Sequence, residues 1–144
     1  MTQVDFYVVE DADERGHDVF FCRLISKALR QGHIIYVQAR DAEHAARFDD
    51  LLWTYHDISF VPHVRESDPD FPGVVPIAVG SAARLTAGVD VLVNLGGEPA
   101  QDWAGLKRIA ETAGSDGPSR EQARARFRFY QERGLELATH RVTG

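Results

Sequence analysis

The sequence is short of lysine, cysteine and long apolar runs, and each shortage excludes something. Only Lys27 and Lys107 are lysine, and the formal net charge is −6 over 144 residues. Neutralising the phosphates of duplex DNA needs a broad cationic excess, so non-specific duplex binding is ruled out as the main activity. A local basic patch stays open, because charge distribution matters more than the sum. Cys22 is the single cysteine, which excludes an internal disulfide framework and fits a reducing compartment, the cytoplasm. No apolar run approaches the roughly 20 residues needed to cross a bilayer. The opening "MTQVDFYVVE" lacks the basic region and long apolar stretch of a secretory signal.

Catalytic and cofactor signatures are also missing. After the first strand comes "DADERGHD", with one glycine where a dinucleotide site wants three and with acids that would repel a pyrophosphate. No G-x-x-x-x-G-K-[ST] and no G-x-S-x-G elbow occurs. "NLGGEP" is a glycine pair after a strand, and reads as a turn. None of the six histidines pairs as H-x-x-x-H, and Cys22 has no neighbouring ligand. Cys22 lines up with Ile25 and Leu29 at helical spacing and reads as a core thiol. Asp49 and Asp50 point about 100° apart on a helix and cannot share a site. No catalytic residue, metal ligand or cofactor is expected.

What is present is an alternation of strands and helices. "VDFYVVE" predicts a strand over 3–9. From His17 to Gln31, Phe21, Leu24, Ile25, Ala28 and Leu29 recur at helical spacing, and Gly32 supplies the stop. "HIIYVQA" reads as a buried strand, and Asp41 can cap a second helix with Ala45, Phe48 and Leu52 on one face. "ESDPDFPG" is a surface loop. "VVPIAVG", "VDVLVNL" and "LKRIAET" supply further strands, followed by a helix over Ser119–Gly134 and an edge strand at "LELATHRV". This order implies right-handed crossovers. The expectation is α/β: one domain over 1–144, a Rossmann-like three-layer sandwich with a mostly parallel sheet.

Two stretches stand out. In "DDLLWTYHDISFVPH", Pro62 cannot donate to a sheet ladder, so Phe60 and Val61 are expected on an edge or in a loop. Trp53, a Tyr and Phe60 there make either a core lid or an exposed partner patch. The second stretch, "SREQARARFRFYQERG", gathers five arginines and three aromatics. Ala123, Phe127 and Tyr130 fall on one face of a helix and should meet the sheet. Arg120, Arg124 and Arg128 form a ridge beside it. That ridge is either a solvated basic face or an anion receptor beside an apolar notch. Single-stranded nucleic acid also suits arginine beside aromatics, though the net charge weighs against it.

The order "DDLLW…SFVPH", "VDVLVNL", "ARARFRFYQERG", with "FYVVE" and the Cys-bearing helix before it, resembles the chi subunit of bacterial DNA polymerase III over nearly the whole chain. The Trp, S-F-x-P-H and A-R-x-R-aromatic combination carries the resemblance. Phe127 stands where the family often has Tyr, and Arg128 where Lys is common. The resemblance implies a Rossmann-like fold without nucleotide chemistry, in a non-enzymatic clamp-loader accessory subunit. It implies a link to single-stranded-DNA-binding protein, whose acidic, Phe-terminated tail Arg124, Phe127 and Arg128, with Arg120 on the same ridge, would hold. Trp53, Phe60, Pro62 and His63 would face the psi subunit or a helicase-like competitor. The rival readings are a small Rossmann-like enzyme using a nucleotide or methyl donor, and a direct single-stranded nucleic-acid binder.

Overall fold

The computed structural model describes residues 2–10, 13–54, 63–65, 77–80, 89–95, 99, 105–113 and 117–143. Phe60, Val61, Pro62, the "ESDPDFPG" loop and the glycines of "NLGGEP" lie outside them. The elements run β1 (Gln3–Glu10), α1 (Glu14–Arg30), β2 (Ile35–Gln38), α2 (Ala42–Thr54), β3 (His63–Arg65), β4 (Ile77–Gly80), β5 (Val91–Asn94), β6 (Arg108–Thr112), α3 (Gly117–Glu132) and β7 (Glu136–Thr143). One sheet orders the strands β3-β4-β2-β5-β6-β1-β7. Every described pairing is parallel.

Parallel strands are buried on both faces, and their side chains alternate between two cores. Ile35, Val37, Val91 and Val93 turn to one face, where α1 brings Phe21, Cys22 and Ile25 and α2 brings Ala45, Phe48 and Leu52. Val4, Phe6, Tyr36, Leu92 and Ile109 turn to the other, under Ala123 and Tyr130 of α3. Two helices on one face and one on the other make the three layers. The helix ends follow local rules. Asp13 caps α1 by accepting from Gly16 N at 2.8 Å, and Asp41 caps α2 by accepting from His44 N at 2.8 Å. Past α3 the chain turns at Gly134, whose φ of 77° suits a residue without a Cβ.

Candidate functional site

α3 is held in place by an arginine. Arg126 is 5% exposed, and its Nε donates to Glu111 Oε1 at 2.8 Å. A second guanidinium nitrogen donates to Thr112 O at 2.9 Å. Glu111 is fully buried and also accepts from Tyr130 OH at 2.6 Å and Asn94 Nδ2 at 2.8 Å. Gln38, Asn94, Glu111 and Phe6 share one rung of the sheet, so all four face α3. Burial pushes the Glu111 carboxyl up, while the Arg126 charge and the donors from Tyr130 and Asn94 pull it back. A buried pair of this kind adds little net stability but fixes one orientation. Here it fixes the rotation of α3 about its axis.

That rotation puts Ala123 and Tyr130 into the core and leaves Phe127 half-buried, its ring 5.3 Å from that of Phe6. Arg120 and Arg124 then border a cleft of about 240 Å³ between α3 and the β7 edge of the sheet. Phe6, Val8, Ala113, Ala123 and Phe127 give it apolar walls, and Thr139 and Arg141 close it from β7. Two of its arginines pair with carboxylates of the chain: Arg124 with Glu121 at 3.0 Å and Arg141 with Glu10 at 2.8 Å. Both pairs are solvent-exposed, and such pairs are worth about 0–1 kcal/mol. An incoming carboxylate can therefore exchange with Glu121 or Glu10 at small cost.

The structure brings Arg120, Arg124 and Phe127 together in this cleft. Arg128, one turn further along the ridge, is exposed and outside the cleft lining. Arg133 lies apart from the ridge, its guanidinium 3.6 Å from the Phe129 ring centroid. Two arginines went unnoticed in the sequence. Arg126 is i+3 from Ala123 and i−4 from Tyr130, so the helical period alone places it on the buried face. Arg141 carried no such signal, since only the β1–β7 pairing brings it opposite Val8.

The second candidate surface is at the strand-start end of the sheet. α2 runs back across the sheet from β2, which puts Trp53 in its last turn near the level where His63 opens β3. Trp53 is 50% exposed. β3 ends the sheet on the side away from β7. Phe60 and Pro62 lie outside the described residues.

At the strand-end mouth, where open α/β sheets usually take ligands, Asp13 and Asp18 meet Arg15 and Arg47. Burial works against the charge of Asp18, yet hydrogen bonds and charge from His17 and His44 hold it down at about 2. Asp13 already occupies the amide of Gly16 that a phosphate would use. Cys22 is fully buried and its thiol is pushed up to about 12 by burial and by Asp18, which suits a core residue.

Fold and site together define a parallel α/β domain whose α3 side carries an arginine-bordered apolar cleft. No helix among the described residues is long and apolar enough to cross a membrane. Over residues 1–138 the chain matches the family described as DNA polymerase III chi subunit, HolC, and it belongs to that family. It is 35% identical over 143 residues to DNA polymerase III subunit chi of Pseudomonas aeruginosa, covering 99% of this chain and 98% of the relative. With DNA polymerase III subunit chi of Escherichia coli it shares 23% over 118 residues, covering 82% and 80% of the two chains. The crystal structure of T4 UvsW superposes with a TM-score of 0.71 at 8% identity, over 99% of this chain and 42% of that one. That likeness concerns the fold alone.

Proposed function

We propose that this chain is a non-enzymatic accessory subunit that links the DNA polymerase III clamp loader to single-stranded-DNA-binding protein. It does so by holding that protein's acidic, Phe-terminated tail. The observation that carries the reading is the cleft in which Arg120, Arg124 and Arg141 border an apolar floor of Phe6 and Phe127. The terminal phenyl ring packs against those two rings, and the carboxylates of the tail pair with the arginines. Arg128 extends the cationic ridge toward residues further from the terminus. Exposed charge pairs and one small apolar notch give micromolar affinity that falls as salt rises.

The other end of the link is the exposed Trp53 with His63, Phe60 and Pro62, facing psi or a helicase-like protein that competes for the same surface. Membership of the chi family supports partners within the replisome and work in the cytoplasm, with DNA engaged only indirectly. The test is a titration of an acidic, Phe-terminated tail peptide against the parent, Arg124→Glu and Arg133→Glu. Binding is nearly abolished by the first change and little altered by the second. Equal losses would mean diffuse electrostatics, and no loss at Arg124 would move the tail elsewhere.

A further inference from the structure

A second cleft opens on the opposite face of the sheet, at the strand-start end. Its volume is about 330 Å³, within the roughly 300–1,000 Å³ typical of ligand pockets. Topology creates it. α1 carries the chain from β1 to β2, which β5 and β6 separate in the sheet. Near its start α1 packs Phe20 and Phe21 on Tyr7. Its last turns reach toward β2 and leave a hollow over the starts of β5 and β6. Leu24 and Ala28 supply half-buried apolar walls, with Val91 beneath them.

The border of this hollow is cationic. Lys27 of α1 and Lys107 both line it, with Arg108 at the start of β6 beside them. These are the only two lysines of a chain whose net charge is −6. Among the described residues no carboxylate lines the cleft. Asp90 lies beside it, but it accepts from Ile34 N at 2.8 Å and pairs with His33 at 3.0 Å, and the Lys107 ammonium stands 4.0 Å away with its side chain 72% exposed. Arg108 pairs through its Nε with Asp5 at 3.2 Å, and its side chain is 51% exposed.

We propose that this cleft docks an acidic peptide segment of a partner, one apolar side chain entering against the half-buried Leu24 and Ala28 while flanking carboxylates meet Lys27, Lys107 and Arg108. Charge complementarity selects an anion, and the aliphatic walls select an apolar anchor. Single-stranded nucleic acid is the poorer fit, because base binding needs an aromatic face. Among the described lining residues the two rings are engaged: Tyr7 stacks on His140 at 5.0 Å, lies tilted against Phe20 and meets Phe21 edge-on, and His33 pairs with Asp90 at 3.0 Å. This site is separate from the α3 cleft and does not depend on it.

The test uses the 144-residue chain carrying Arg120→Glu and Arg124→Glu, which silence the α3 cleft. The probe is N-acetyl-Asp-Asp-Asp-Leu-Phe, followed by amide chemical shifts. The amides of Ala28, Val91 and Ala110 should move in a saturable way. Adding Lys27→Glu and Lys107→Glu should weaken binding at least about tenfold with the fold retained, since both side chains are exposed. Shifts confined to other residues, or affinity indifferent to the two lysines, would overturn the proposal. So would an oligothymidylate that moves the same amides at lower concentration than the peptide.

Discussion

Removing the guanidinium of Arg126 leaves a carboxylate at the centre of the α3 core, and the consequence can be worked out. In Arg126→Ala, Glu111 keeps Tyr130 OH and Asn94 Nδ2 on Oε2 but loses the one donor to Oε1 among the described residues. Breaking a buried pair from one side costs about 3–5 kcal/mol, or roughly 10–15 °C in melting temperature for a chain of this size. The loss depends on pH with a definite sign. Burial already raises the Glu111 carboxyl in the folded protein, and Arg126 is the largest influence lowering it. Without Arg126 the folded value climbs further above the unfolded one, so folding takes up a proton between the two. Stability of the variant is then fullest below the unfolded value, about 4.3, and declines as pH rises through the folded value. Relative to the parent, the deficit is smaller at pH 5 than at pH 8. Urea unfolding of both proteins at the two pH values measures it, and adding Glu111→Gln should remove the pH dependence and recover part of the stability. A loss under about 1 kcal/mol, or one equal at both pH values, would refute the reasoning. Because Arg126 sets the rotation of α3, tail-peptide affinity should fall in Arg126→Ala even where the protein remains folded.

The exposed pair at the β7 side of the cleft gives opposite effects at its two ends. Glu10→Gln frees Arg141 and should tighten tail-peptide binding about two- to fivefold at low salt, while Arg141→Gln weakens it, both read by calorimetry. Trp53→Ala should change folding stability by less than about 1 kcal/mol while abolishing capture of the clamp-loader partner. Phe60→Ala should behave alike, whereas a loss of about 3–5 kcal/mol would make it core and not interface. ATP, NAD and S-adenosylmethionine at millimolar concentration should leave the melting temperature unchanged, and a reproducible upward shift would revive an enzymatic reading.

The alternation of apolar runs and periodic segments made the layers legible in the sequence. Val91–Asn94 and Ile35–Gln38 are short, apolar and β-branched, as strands buried on both faces must be. The helix spacing of Ala123, Phe127 and Tyr130 located the α3 face and, through it, two of the cleft arginines. Strand order was not legible, because the insertion of β5 and β6 between β1 and β2 is decided by long-range packing. Arg141 could not be placed for the same reason, since its position depends on which strand pairs with β1. Arg126 was missed on another ground: composition treats arginine as a surface residue. The polar ends of the strands, Gln38, Asn94 and Glu111, were the available sign that a buried polar partner was required.

The central claim is a physical bridge, and the most direct measurement looks for it. Immobilised clamp-loader complex lacking its chi subunit is exposed to single-stranded-DNA-binding protein, with and without this chain, and retained protein is quantified by surface plasmon resonance. Retention should appear only with the chain present. It should vanish with Arg124→Glu, which spares attachment to the clamp loader, and survive Arg133→Glu. Undiminished retention with Arg124→Glu, or retention without the chain, would contradict the account.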